Sequence, residues 1–467
     1  MYLLGVLFVV VGIGVSIALH EIGHLAPAKA FGVKCSQYMI GFGPTIWSRR
    51  RGETEYGIKA IPLGGYVRMI GMYPPAEETS SRRSSTVALA EGDGDEPPPP
   101  ARSGRWAAMI EDARSQSQAE VGPEDRDRVF YKLSTPKKIV VMLGGPVMNL
   151  VLATLIFGGL VLVNGVAVAQ PGVQVNTVVQ CVRPAGTTGA AAQAPCTDAD
   201  ATSPAAAAGL QPGDRFVSIA GQPVTDTSDV ARLVRPHAGD PLPVVVERGG
   251  TQLTLTITPI ANTVPEINAA GEVVPGADGA VATTTAGYIG VSSGPPVVMD
   301  HSIAHVPTVV WNVTQRTGEI VLTLPQRLVE VAQAAFGPGE RDADGPISVV
   351  GVGRVAGEVS SGQVSDPTTG VAMTASDRVV TLWTMLGSLN IALFVFNLIP
   401  LLPLDGGHVA GALWEALKRG FARVTRRPDP GYVDVAKALP LTYGVALLLI
   451  SMSALLIYAD IVKPIRL

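Results

Sequence analysis

The sequence predicts a polytopic α-helical membrane protein: four transmembrane helices, a membrane-associated β-sheet and an extracytoplasmic α+β domain. Three observations carry this. Four apolar segments, about 2–26, 138–165, 380–404 and 439–461, are each close to the length that crosses a bilayer. Only 16% of the 467 residues are charged and mean hydropathy is +0.32, too apolar for an ordinary soluble enzyme. Lys and Arg are unevenly shared: seventeen fall in 26–138, six in 405–438, and only ten in the far longer 166–379. By the positive-inside rule the first and third connections are cytosolic and the middle one is outside. Both termini then lie outside a multi-pass protein of the inner (plasma) membrane, with Lys463 and Arg466 arguing weakly the other way. A net charge of −4 excludes a general nucleic-acid binder, and three cysteines are too few for a disulfide framework.

The first transmembrane helix covers residues 1–27. It lacks a basic leading region and a small-residue cleavage site, so it reads as a retained span and not a signal peptide. Tyr2 to Leu19 carry no charge, and then comes His20-Glu21-Ile-Gly-His24. Histidines four apart share a helical face. They can reach one Zn²⁺ while the intervening Glu21 takes a proton from water activated there. Ionisable groups at membrane depth are costly and functional by default; the bland alternative is a buried histidine pair. At 1.5 Å per residue, His20 lies about 30 Å from the outer end, towards the cytosolic side.

Pro27 is expected to end or kink this helix. Residues 37–72 read as short strands, with a hairpin turn at Arg51-Gly-Glu-Thr54 and Ile, Trp and Tyr on a basic background, as suits a membrane interface. Such a sheet edge can accept an extended substrate as an added strand. Residues 74–128, with serine-arginine and acidic runs and four prolines at 97–100, read as a disordered cytosolic insertion with room for a short helix near Trp106–Ala113. The second span, 130–166, holds Gly144-Gly-Pro-Val-Met-Asn149. The glycines suit close helix packing; Asn149 is as consistent with packing as with function.

Residues 173–260 alternate strands and a helix around Ala208-Gly-Leu-Gln-Pro-Gly-Asp214-Arg-Phe-Val-Ser-Ile-Ala-Gly221. This run resembles a bacterial PDZ domain, a module that binds peptide ends by strand addition. Cys181 and Cys196 flank an insertion and can pair in an oxidising outer compartment. Residues 287–379 read as an extracytoplasmic strand followed by amphipathic helices; His301 and His305 there lack an intervening Glu in the required position. The third span, 380–407, ends in Asn397-Leu-Ile-Pro400-Leu-Leu-Pro403-Leu-Asp405-Gly-Gly-His408. Alone, this is a membrane-exit turn with Asp405 capping the next helix. With the histidine pair on the same side of the bilayer, Asp405 becomes a candidate third zinc ligand. A cytosolic segment, 408–438, and a fourth span, 439–462, complete the chain.

His20-Glu21-x-x-His24, Gly145-Pro-x-x-Asn149, the PDZ-like run and Asn397-x-x-Pro400-x-x-Pro403-Leu-Asp405-Gly together resemble the site-2 protease family of intramembrane zinc metalloproteases, in its bacterial regulator of sigma-E protease branch with actinobacterial relatives. The resemblance implies Zn²⁺ held by His20, His24 and Asp405, Glu21 as catalytic base, and Asn397 as a substrate or oxyanion contact. It implies cleavage of single-span membrane proteins such as anti-sigma factors, or of signal-peptide remnants, in regulated intramembrane proteolysis. It also implies that 37–72 receives the substrate strand. Some relatives carry two PDZ domains, whereas one is legible here. A catalytically silent PDZ membrane scaffold has no need of Glu21. A metal transporter needs polar residues in several spans, and the second and fourth have almost none.

Overall fold

The uncharged run at the start of the chain forms one long helix, α1 (Tyr2–Ala30), which continues past Pro27 for another turn. The computed structural model describes residues 1–75, 105–182, 196, 200–266, 282–337, 341–342, 345–364 and 373–464. They fall into two compact units, Met1–Val163 with Ile303–Leu467, and Asn164–Ser302.

In the first unit, α1 leads into β1 (Cys35–Arg51) and β2 (Thr54–Met69), joined by a turn at Gly52 and Glu53. This ribbon folds back on itself. Gln37–Ile40 sit between Gly65–Arg68 on one side and Glu55–Ile58 on the other, while Thr45–Arg51 pair with Thr54–Lys59. The fold-back needs a left-handed backbone at Gly41 (φ 91°), where a Cβ would lie 2.6 Å from the Ile61 carbonyl. The expected 74–128 insertion is partly structured. Residues 76–104 lie outside the described residues, but 105–119 form α2 (Arg105–Ala119). Composition misled here because long-range ion pairs hold this polar segment. Arg114 binds Asp434, Arg68 binds Glu120, and Lys34 meets the buried Asp125 at 2.6 Å.

The second span is α3 (Thr135–Asn164). In the second unit follow β3 (Val166–Ala169), β4 (Val173–Val178), a short α4 (Pro204–Ala207), β5 (Arg215–Ile219), β6 (Gln222–Pro223), α5 (Thr227–Val234), β7 (Leu242–Arg248), β8 (Thr251–Ile257), β9 (Ile260–Pro265), β10 (Thr283–Tyr288), β11 (Val291–Gly294) and β12 (Val297–Asp300). One sheet runs β11-β4-β5-β7-β8, with β6 added to β5. Val175, Phe216, Val244, Val246 and Ile257 fill its core beneath Val230 and Leu233 of α5. A reciprocal Asp226–Asp229 capping box starts α5. The expected end of this domain at 260 is too early. Ile289 belongs to the core and β11 pairs with β4, a contact between distant segments that no local pattern reveals. Buried Asp214 is gripped through both oxygens by Arg248 at 2.6 Å. Burial pushes its carboxyl up, but the guanidinium and the Gln211 N–H outweigh that and hold it below its ordinary range. Cys181 and Cys196 are joined as a disulfide with a Cα–Cα separation of 5.9 Å.

Back in the first unit are α6 (Val306–Phe336) and α7 (Val349–Ser361). The latter lies against α1, where Gly357 leaves room for the Tyr2 ring. Then come α8 (Ala375–Asn397), α9 (Asp405–Val424) and α10 (Leu439–Val462). The third span is therefore not helical throughout 380–407. It starts at a Thr374–Asp377 capping box, stops at Asn397, and residues 398–404 are irregular around Pro400 and Pro403. The segment 408–438 is helical as far as Val424. Among the described residues, four helices are long and apolar enough to cross a membrane: Tyr2–Ala30, Thr135–Asn164, Ala375–Asn397 and Val435–Val462.

Candidate active site

Glycine lets α1 and α3 touch. A Cβ on Gly23 or Gly144 would run into the other's carbonyl. Pro27 offers no N–H to the Gly23 carbonyl, and that is the carbonyl Gly144 covers. At this contact the His24 Nδ1–H donates to the Val141 carbonyl at 2.8 Å. The Nε2 atoms of His20 and His24 lie 3.2 Å apart, each 3.3 Å from Asp405 Oδ2.

Asp405 opens α9, and the two glycines after it set its position. A Cβ on Gly407 would lie 2.5 Å from the Leu402 nitrogen, and one on Gly406 would strike the Leu398 and Ile399 carbonyls. The irregular 398–404 segment thus folds tightly under the start of α9.

With Nδ1 of His24 committed as a donor, its Nε2 presents a lone pair. Asp405 Oδ2 is buried with no hydrogen bond. Lone pairs converging without a proton between them repel unless a cation sits among them. A Cβ on Gly145 would come within 2.7 Å of His20 Nε2, so only glycine leaves that space open. Two imidazole nitrogens and one carboxylate oxygen, with room for a fourth position, fit a catalytic zinc site. No other such trio converges among the described residues. Asn149 lies 3.1 Å from His20 Nδ1. If His20 Nε2 faces an ion, Nδ1 carries the proton and Asn149 accepts it. A half-turn of the amide gives its otherwise unpartnered Oδ1 that bond.

These atoms line a cavity of about 650 Å³ together with Glu21, Gly65, Tyr66, Asn397 and His408. Glu21 is nearly buried, and a Cβ on Gly65 would lie 2.8 Å from its Cγ. The Gly65–Met69 part of β2 therefore borders the same space as the histidines.

Residues 8–427 match peptidase family M50. The chain belongs to that family. Over its whole length the M50 peptidase is similar to zinc metalloprotease Rip1 of Mycobacterium tuberculosis (strain H37Rv), at 32% identity covering 99% of the relative. It is 26% identical to metalloprotease MmpA of Caulobacter vibrioides, over 89% of this chain and 87% of the relative. Zinc metalloprotease RasP of Geobacillus kaustophilus is also 26% identical, over 88% and 89%. The family resemblance carried by the motifs is thereby shown.

The structure of the M50 peptidase brings His20, Glu21, His24, Asp405 and Asn397 to one cavity. Sequence reasoning left Asn149 undecided, gave Gly145 a helix-packing role only, and gave none to the Val141 carbonyl. The available signal was spacing: Val141, Gly145 and Asn149 share one face of α3.

Lys138, on that face, was also missed. Its Nζ lies 2.9 and 3.1 Å from the two oxygens of Glu415, and both side chains are under a tenth exposed. Glu415 also binds Arg419 at 3.1 Å and the Val433 N–H at 3.2 Å. This buried pair ties α3 to α9, the helix that Asp405 begins. Glu415→Leu strands the lysine and is expected to destabilise the M50 peptidase by about 3–5 kcal/mol. Lys138→Met combined with Glu415→Leu should recover most of it in thermal unfolding in micelles. An unimproved double variant would show that the charges do not act as a pair.

Proposed function

We propose that this zinc metalloprotease cuts peptide bonds inside the transmembrane segments of single-span membrane proteins. Anti-sigma factors are the first substrate class, signal-peptide remnants the second, and regulated intramembrane proteolysis the process. One observation carries the reading: two imidazoles and a carboxylate converge on helices apolar enough to cross a bilayer, beside a glutamate and a sheet edge that is unpaired among the described residues.

In this proposal His20, His24 and Asp405 hold Zn²⁺. When bound, the ion supplies Lewis-acid activation of water and of the scissile carbonyl. Glu21 takes the proton of the attacking water and passes it to the departing amine nitrogen. Asn397 donates to the developing oxyanion, worth about 3 kcal/mol for one such donor elsewhere. A helical carbonyl is hydrogen-bonded and shielded, so the substrate must unwind first. Pairing with the Gly65–Met69 edge holds it extended at the cavity. The 164–302 unit acts as the PDZ-type domain that recognises substrate ends. Among the described residues its one sheet with a five-strand path, capped by α5, supports one such domain. The chain sits in the plasma membrane with its termini and this unit outside.

The test is cleavage of a purified single-span anti-sigma-type substrate by the full chain in micelles. The expected products arise from a cut within the span, vanish with a zinc chelator, and return with added Zn²⁺. Chelator-resistant cleavage, or a cut confined to the soluble flanks, would sink the reading.

A further inference from the structure

A second polar pocket lies at the other end of the sheet, away from the histidines. It measures about 430 Å³ and is lined by Lys29, Arg51, Gly52 and Tyr56. We propose that this pocket binds the phosphate of an anionic phospholipid headgroup, in the leaflet at the Lys29 end of α1.

The chemistry is that of an anion site. Lys29 Nζ donates to the Tyr56 hydroxyl at 3.0 Å, which leaves the phenol proton free to donate onward. Arg51 supplies a planar fork suited to phosphate oxygens. The neighbouring carboxylate of Glu53 is engaged by Arg128 at 2.8 Å. Among the described residues, no carboxylate forms an ion pair with Arg49 or Arg51. Along β1, Trp47, Arg49 and Arg51 alternate onto one face. Tyr56 pairs with Arg49, so that face is the one Lys29 approaches.

Depth and surroundings select a lipid over a soluble anion. Lys29 stands in the last turn of α1, about 8 Å along the axis beyond His24. That is the end of a helix apolar enough to cross the membrane, the level at which headgroup phosphates lie. Trp47 and Ile58, the cross-strand pair next to Arg49 and Tyr56 on that face, are exposed. An apolar and aromatic flank beside paired cations matches an acyl chain attached to a phosphate. It offers nothing to inorganic phosphate.

The full chain, purified in neutral detergent, is titrated with phosphatidylglycerol or with phosphatidylcholine of the same acyl chains, and bound lipid is read by native mass spectrometry. Phosphatidylglycerol should be retained at least about tenfold better, as expected for two basic residues at an anionic headgroup. Lys29→Gln with Arg51→Gln should abolish the preference. Lys29→Arg with Arg51→Lys should keep it, and so should Lys437→Gln, which removes an exposed charge elsewhere. If the neutral pair does not fold, Arg51→Gln alone, on the exposed turn, should lose part of the preference. Undiminished preference in the neutral variants, an equal loss in Lys437→Gln, or displacement of the lipid by equimolar inorganic phosphate would each overturn the assignment.

Discussion

Glu21→Gln is expected to leave zinc content intact and to lower substrate cleavage by roughly a thousandfold, the scale of a general base. The change is isosteric. Glu21 packs against Gly65 in a nearly closed position, which glutamine fills equally well. The carboxylate is not among the three atoms that converge at the metal position. Loss of activity with one zinc per chain therefore reports proton transfer alone. Measuring cleavage and zinc on the same preparation separates the outcomes. Undiminished cleavage would remove Glu21 from the mechanism, and loss of metal would make it a ligand or a support for one.

Asp405→Ala should lose both zinc and activity. It removes the only oxygen of the trio and leaves two imidazoles facing an empty corner. The helix that carries it should persist, since α9 is anchored ten residues further on by the Glu415–Lys138 pair. Unchanged helicity by circular dichroism, with zinc falling below about a tenth of an atom per chain after mild chelation, is the expected pattern. Normal zinc content would reassign the third ligand, and His408, which lines the same cavity, is the side chain to test next.

Much of this site was legible in the sequence, because the relevant physics is local there. Histidines four apart share a helical face whatever surrounds them, and an uncharged run before them fixes the helix. Asp405 was legible only through its company, a broken span facing the same side of the membrane. Asn149 and Lys138 were not assignable, because their meaning depends on which face of α3 meets α1 and α9. That choice is made by Gly23, Gly144 and Gly145, residues whose contribution is the absence of a side chain. The same limit applies to the fold. Local alternation located the strands of 173–260, but β11 joins the sheet from over a hundred residues beyond β4. In the polar stretch 105–119 only a short helix near Trp106–Ala113 was legible, because its partners, Asp434 among them, lie far along the chain.

The wide separation of the proposed ligands along the chain bears on biosynthesis. His20 and His24 are synthesised well before Asp405, which follows 381 positions after His24. At about 5–20 residues per second, the nascent protein spends on the order of half a minute with an unfinished cage. Through that interval it is inert towards its neighbours in the bilayer. With the proposed ligands, completion of the hydrolytic centre is thus timed by the ribosome.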